Sequence, residues 1–180
     1  IPEFTLAGAT TGLATLQLSG DAVARRFAGN DDAFWRMTID TLLRVRPAIA
    51  EKPYVPPEAM IRHLGPAHTF PYVSYYQVLN GDPNIPPDFF SDQIVLIGRE
   101  VRASPESGSA QADTFATPFL ARSGLLTPGV EIHATMIENA LMGQAIVPAT
   151  ALQNQAALAL VMLFAWLSLV FWQPVRSGAL

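Results

Sequence analysis

Hydrophobic and polar positions divide the chain into several short elements followed by one long apolar run. The sharpest boundary lies at Ile94-Val95-Leu96-Ile97-Gly98, where four apolar residues follow a polar segment and end at a glycine. A short apolar run between turn signals predicts a strand that is buried on both faces, as in a parallel sheet. Ligands of open α/β sheets bind beyond the carboxyl ends of the strands. The loop from Arg99 to Phe115 is therefore expected to carry function.

Alternating apolar and polar residues predict an antiparallel hairpin nearer the start of the chain. Residues from Leu13 to Leu18 alternate, Gly20-Asp21 supplies a turn, and Val23 to Phe27 forms a short returning strand. Asp21 and Arg25 can pair across this turn. Such an exposed ion pair is expected to be a solvated feature of the hairpin tip, because surface pairs contribute little stability.

Helical spacing of apolar residues predicts two helices in the middle of the chain. The first begins at Asn30-Asp31-Asp32, whose carboxylates suit the positive end of a helix dipole, and ends before Pro47. Its apolar stripe consists of Phe34, Met37, Thr38, Thr41, Leu42 and Val45. The second is a short helix that Ser74 caps and that Asn80-Gly81 ends after Leu79.

A third helix is predicted after Pro128-Gly129. Its apolar face consists of Val130, Ala134, Ile137 and Leu141. Gly143 is expected to end the helix, because glycine is common just beyond a helix C-terminus.

The final apolar run is long enough to cross a bilayer. The chain carries no charge from Ala151 to Trp172, and about twenty apolar residues span the hydrocarbon core. Trp172 suits an interfacial anchor and Arg176 follows it, so the positive-inside rule places the C-terminus in the cytoplasm and the globular part outside. A buried core helix is the alternative. The apolar character of every face favours the membrane span.

Composition narrows the function classes. Half of the residues are hydrophobic and only 14% are charged, against roughly 25% charged residues in ordinary soluble domains. The final apolar run accounts for that difference. A net charge of -4 provides no basic surface for nucleic acid. The absence of cysteine excludes disulfides and thiolate metal sites.

Motifs for the commonest catalytic chemistries are absent. The sequence has no nucleophile elbow, phosphate loop, dinucleotide fingerprint or paired zinc motif. His63 and His68 lie five residues apart, but no third ligand has a matching spacing nearby. We therefore expect no catalytic residue, no metal and no cofactor.

Four polar residues lie closest to the predicted strand end and to the start of the third helix, namely Asp113, Thr117, Glu131 and His133. They are candidates for ligand binding in a pocket between the loop from Arg99 to Asp113 and the helix that begins at Val130. The alternative is that they cap the helix and fix the loop. On a helix, Glu131 and His133 point about 200° apart, so they would share a site only if the segment were extended.

Taken in order, several motifs resemble the CHASE2 sensory domain. They are Ile94-Val95-Leu96-Ile97-Gly98, Asp113 ahead of Phe115-Ala116-Thr117-Pro118, and Pro128-Gly129-Val130-Glu131-Ile132-His133-Ala134, with Pro71 to Gly81 and Gly12 to Arg26 adding to the match. The resemblance covers about residues 6–143. Two departures from the family are expected. The chain is expected to lack the family's N-terminal half with its first membrane helix, and its turn at Asp21 differs from the family's Asp-Gly pattern.

The resemblance implies an extracytoplasmic sensor of bacterial signalling proteins. The expected fold class is α/β, a sheet with flanking helices that is incomplete at the N-terminus, followed by a transmembrane α-helix. Residues 1–150 would form the C-terminal part of the sensor domain, 151–173 the membrane helix and 174–180 the start of a cytoplasmic segment. The full protein would carry an adenylate or diguanylate cyclase, a histidine kinase or a serine/threonine kinase, while this chain is expected not to be an enzyme.

The expected partners are the inner membrane, an unknown small ligand or periplasmic protein, and a second copy of the full-length receptor. No nucleic acid is expected. Two alternative functions stay open. One is a membrane-anchored structural or dimerisation module, and the other is an anchored hydrolase that uses His133 with Asp113 or Glu131.

Overall fold

The computed structural model describes residues 3, 6, 8–47, 55–99 and 113–172. In chain order the elements are β1 (Gln17–Leu18), β2 (Ala24–Arg26), α1 (Phe34–Val45), α2 (Tyr75–Leu79), β3 (Thr114–Phe115), α3 (Leu120–Ser123), β4 (Thr127–Pro128), α4 (Gly129–Leu141) and α5 (Ala151–Trp172). The fold is mixed α/β with a long apolar C-terminal helix, as the sequence predicts. The chain divides into two compact units, Ile1–Val147 and Pro148–Leu180.

The core of the first unit lies between α1 and α4. Helix α1 contributes Trp35 and Ile39, and α4 contributes a face of Ile132, Met136, Ile137 and Ala140. The Trp35 ring meets the Phe27 ring edge to face at a centroid distance of 5.1 Å. The indole Nε1 donates to the Ala28 carbonyl oxygen at 3.0 Å. The only polar atom of this large side chain is therefore satisfied within the core.

The predicted hairpin is confirmed. Strands β1 and β2 pair antiparallel, with a register irregularity at Gln17 and Leu18. The Arg25 guanidinium donates to both carboxylate oxygens of Asp21, at 2.6 and 2.8 Å, and this hydrogen bonding lowers the pKa of Asp21. Both side chains are substantially exposed. The two hydrogen bonds hold the turn. Because the pair is exposed, it adds little to the free energy of unfolding.

The predicted parallel strand at Ile94–Gly98 is wrong. No strand is assigned between residues 93 and 99, and the strands of the described chain form two antiparallel pairs, β1 with β2 and β3 with β4. Only Leu96 of the apolar run packs against the core, whereas Ile97 is 76% exposed. The apolar composition fits a strand, but within the described residues no neighbouring strand supplies the ladder hydrogen bonds that a strand requires.

Helix α1 has its predicted end but not its predicted cap or stripe. Its N-cap is Ala33, without a side-chain hydrogen bond. Leu13 performs the capping instead, because its N–H donates to the Asp32 carbonyl at 2.7 Å and its carbonyl accepts from the Phe34 N–H at 2.9 Å. The buried residues are Trp35 and Ile39, whereas Val45 of the predicted stripe is 73% exposed. The burial of the large indole sets the face that turns inward.

The two later helices form where they are predicted. The Ser74 N–H at the start of α2 donates to Gln77 Oε1 at 3.1 Å, and Gly81 beyond its end has a φ of 63°. Helix α4 begins at Gly129 rather than at Val130, and Gly143 follows its end with a φ of 62°. The buried face of α4 is shifted from the predicted one and includes the polar residues His133, Thr135 and Asn139.

The second unit contains α5. Residues Ala151–Phe171 are long and apolar enough to cross a membrane, and none of this stretch is buried. Its start is fixed by a reciprocal pair in which the Thr150 N–H donates to Gln153 Oε1 at 2.8 Å and the Gln153 N–H donates to Thr150 Oγ1 at 3.3 Å. This arrangement satisfies two backbone donors that a helix N-terminus otherwise leaves free.

Candidate functional site

The candidate site is built at the N-terminus of α4. The Gly129 N–H donates to the backbone carbonyl of Asp113 at 3.0 Å, which brings the start of β3 to the first turn of the helix. The carboxylate Oδ1 of Asp113 lies 2.7 Å from the position that a Cβ on Gly129 would take. Glycine is therefore required here for the carboxylate to lie over the helix N-terminus, where the helix dipole favours negative charge.

His133 follows Gly129 by one helical turn and shares its face, since residues four apart on a helix are neighbours. The side chain is buried, with only 6% exposure, and its ring meets Phe34 edge to face at 5.2 Å. The backbone of Ala14 lies close to the imidazole and favours its protonated form. Its Nδ1 has no hydrogen-bond partner among the described residues. Buried polar atoms are nearly always partnered, so this atom is a candidate contact for a ligand.

Glu131 points away from Asp113 and His133. Its carboxylate accepts backbone N–H groups from His68 at 2.8 Å, Thr69 at 2.7 Å and Phe70 at 3.4 Å. These bonds hold the loop in which His68 adopts a φ of 66°, an uncommon conformation for a residue with a side chain. The predicted divergence of Glu131 and His133 on a helix is confirmed, and Glu131 anchors the loop.

Thr117 is also engaged within the protein. It is 2% exposed, and its Oγ1 lies 3.4 Å from Oγ1 of Thr127, which belongs to β4. This contact ties the segment after β3 to β4. Of the four predicted residues, Asp113 lies near enough to His133 for its charge to act on the imidazole, whereas Thr117 and Glu131 hold neighbouring segments. Residues 100–112 of the predicted pocket lie outside the described chain.

A buried polar residue that sequence reasoning missed lies deeper in α4. Asn139 is 0% exposed, its Oδ1 accepts the Arg62 N–H at 2.7 Å, and its Nδ2 donates to the Arg62 carbonyl at 3.1 Å. The amide thereby pairs with both backbone groups of one residue, as a neighbouring strand would. The sequence signal that could have identified Asn139 is a lone asparagine within an apolar helical sequence.

A separate cleft lies beside α3. It has a volume of about 360 Å³ and is lined by Pro66, Phe119, Arg122 and Ser123. None of the four predicted site residues lines it. Sequence reasoning did not identify this cleft, because its lining joins a loop to a helix more than fifty residues later in the chain.

The electrostatics of the site keep its histidine neutral. Burial lowers the pKa of His133 below its ordinary value of 6.5, while the Ala14 backbone and the Asp113 carboxylate act in the opposite direction. Burial also lowers the pKa of His63, whose Nε2 lies 2.8 Å from the Ala24 carbonyl oxygen. One buried and one partly buried imidazole, His133 and His63, are therefore neutral in the folded state at neutral pH.

These two histidines predict a loss of stability in acid. Because both folded-state pKa values lie below 6.5, the unfolded chain binds more protons once the pH falls below that value. The free energy of unfolding should then decrease as the pH falls, by at most about 1.4 kcal/mol per pH unit for each histidine. Urea unfolding of the detergent-solubilised chain between pH 7.5 and 5 measures this slope. His133→Gln should reduce the slope, and an unchanged slope would contradict the assignment.

The chain therefore belongs to the class of mixed α/β domains that are followed by a helix long and apolar enough to cross a membrane. Within that class, the family model of the CHASE2 domain matches residues 2–172, a range that includes α5. The chain belongs to the CHASE2 family, an extracytoplasmic sensory domain family found in signalling proteins. No curated protein and no solved structure matches the chain.

Proposed function

We propose that this chain is the extracytoplasmic sensor of a bacterial transmembrane receptor, held at the inner membrane with its α/β unit in the periplasm. The observation that carries the proposal is the CHASE2 match over residues 2–172, because it takes in both the α/β unit and α5. The sensor responds to a small ligand or a periplasmic partner and passes the change to α5. The output is an adenylate or diguanylate cyclase, a histidine kinase or a serine/threonine kinase elsewhere in a dimeric receptor.

The pair of Asp113 and His133 supports a ligand-responsive site. A carboxylate and a neutral imidazole both accept hydrogen bonds, so the pair fits a ligand that donates them. Phe34 of α1 lies against the His133 ring, and Asp113 lies against the first turn of α4. A ligand that binds here therefore contacts groups that connect the two core helices. It shifts the domain if it binds two arrangements of those helices unequally.

A structural or dimerisation module is the second candidate. The buried contact between Thr117 and Thr127 and the three backbone donors on Glu131 are what a scaffold requires. The groups described around His133 include the Asp113 carboxylate, the Ala14 backbone and the Phe34 ring. No nucleophile is among them, so we propose no enzymatic role for the chain.

Asp113→Ala and His133→Ala distinguish the sensor from the scaffold. In the complete receptor in membranes, each variant should change the output by at least about fivefold, the low end of typical coupling between sites. Product formed by the receptor's own cyclase or kinase is the measurement, and circular dichroism checks that each variant is folded. Asp21→Ala, which removes the exposed hairpin ion pair, is the control and should leave the output unchanged. Wild-type output from both folded site variants would contradict the proposal.

A further inference from the structure

The segment that leads from the core to α5 is held first by a reciprocal pair of backbone hydrogen bonds. The Met60 N–H donates to the Ile146 carbonyl at 2.8 Å, and the Ile146 N–H donates to the Met60 carbonyl at 2.9 Å. On its other side, Met60 forms an antiparallel bridge with Arg26 of β2. Residue 146 is thus the outer member of a ladder that begins at the hairpin. Its side chain is 48% exposed, so little packing holds it there.

A second contact joins this segment to the core. Gln144 accepts a hydrogen bond from Nη1 of Arg62 at 2.6 Å through its Oε1, and its N–H donates to the Asn139 carbonyl at 2.8 Å. Asn139 in turn binds both backbone groups of Arg62. Residues 144–147, held on Met60 and Arg62, are called the clasp below. The clasp and α4 therefore share the same attachment residue.

The chain between the clasp and α5 is short. Val147 is followed by Pro148 and Ala149, and Thr150 already belongs to the reciprocal cap at the start of α5. Proline fixes its own φ and restricts the residue before it. Only Pro148 and Ala149 therefore separate the clasp from the capped start of α5.

We propose that the clasp is the output joint of the domain, closed on Met60 and Arg62 in one signalling state and released from them in the other. The proposal rests on the proposed sensor function. Release breaks the two backbone bonds of Met60 and the Gln144 side-chain bond, and it removes Ala145 from its contact with the core. The buried Asn139 stays in α4 and holds Arg62 in place for reclosure. Elements with few buried contacts are the ones that open locally.

The given sequence contains no cysteine, so the clasp can be locked by two introduced cysteines in a receptor whose cysteines elsewhere are replaced by serine. Two residues that exchange both backbone bonds in an antiparallel pair have Cα atoms about 5.5 Å apart, within the range of about 4.4–6.8 Å that a disulfide bridges. Met60→Cys with Ile146→Cys, oxidised by diamide in membranes that carry the complete receptor, should form this bond. Each single variant under the same treatment is the control, and reduction with dithiothreitol reverses the lock.

The readout is the product of the receptor's own cyclase or kinase. Oxidation of the double variant should change the output by at least about fivefold, and reduction should restore it. Gln144→Ala, which loosens the clasp, should move the output in the opposite direction. An output that neither the lock nor Gln144→Ala changes would overturn the clasp proposal.

Output measurements on the same receptor distinguish a wrong clasp proposal from a wrong sensing-site proposal. If Asp113→Ala changes the output and the oxidised lock does not block that change, the clasp proposal is wrong and the sensing site stands. If Asp113→Ala and His133→Ala leave the output unchanged while the lock and Gln144→Ala move it in opposite directions, the clasp stands and the sensing site is wrong.

Discussion

Asn139→Ala should lower the free energy of unfolding by about 2–4 kcal/mol. The substitution leaves the N–H and the carbonyl of Arg62 without the amide that now binds them at 2.7 and 3.1 Å. It also opens a cavity at a residue that is 0% exposed. Both hydrogen bonds are partly buried, so water replaces the lost amide only in part. Urea unfolding in detergent measures the change through Trp35 fluorescence, with Trp166 and Trp172 replaced by phenylalanine.

Asn80→Ala is the matched control. Its amide donates to the Tyr76 carbonyl at 2.9 Å at an exposed site, where water can replace the lost bond, so the change should stay within about 0.5 kcal/mol. Equal losses from the two alanine variants would show that burial of Asn139 does not set its contribution. The account of α4 and of the clasp attachment would then be wrong.

Gly98→Ala should cost about 1–3 kcal/mol through overpacking at the start of α4. A Cβ on Gly98 would lie 2.5 Å from Cβ of Val130 and 2.7 Å from one of its methyl groups, closer than carbon atoms approach without displacement. The strain acts on the first turn of α4, next to Asp113 and Gly129. We therefore expect the His133 amide to exchange its hydrogen faster in this variant, as measured by mass spectrometry.

Val130→Ala removes two of the three close contacts and should recover part of the loss in the double variant, which a double-mutant cycle reveals. Gly20→Ala is the control, because a Cβ there meets nothing within 4 Å, and its effect should be small. If Gly98→Ala proves neutral, the close approach of Gly98 to Val130 is not a determinant of the fold.

Local sequence patterns predicted the elements whose geometry is local. The hairpin follows from alternation and from the turn at Gly20-Asp21, and its ion pair forms as expected. Helices α2 and α4 have their predicted ends, since the glycines at 81 and 143 adopt the positive φ that ends a helix. These features depend on residues within a few positions of one another, so a single sequence contains the information.

Features that depend on distant partners were not predictable. The run at Ile94–Gly98 has the composition of a strand but no partner strand in the described chain. Leu13 caps α1 from about twenty residues away, a contact that no local pattern encodes. The amide of Asn139 is satisfied by a residue 77 positions earlier, so its burial could not be inferred from helical periodicity.

In the candidate site too, some features follow from the local sequence and others depend on residues that are distant along the chain. Helical geometry correctly separated Glu131 from His133, because the angle between positions two apart is fixed by the helix. The grouping of Asp113 with His133 depends on the pairing of β3 with β4 and on the missing side chain of Gly129. Sequence reasoning identified both residues, but could not tell that Thr117 and Glu131 are held by other segments.

The most direct test of the sensor account is the side of the membrane on which the α/β unit lies. In a receptor whose cysteines outside this sequence are replaced by serine, Gly20→Cys places a thiol on the exposed hairpin turn, and Ser177→Cys places one after Arg176. Intact cells that express each variant of the receptor are treated with a membrane-impermeant maleimide. The account predicts that Gly20→Cys is labelled in intact cells and that Ser177→Cys is labelled only after the inner membrane is opened. The reverse pattern would place the domain in the cytoplasm and contradict an extracytoplasmic sensor.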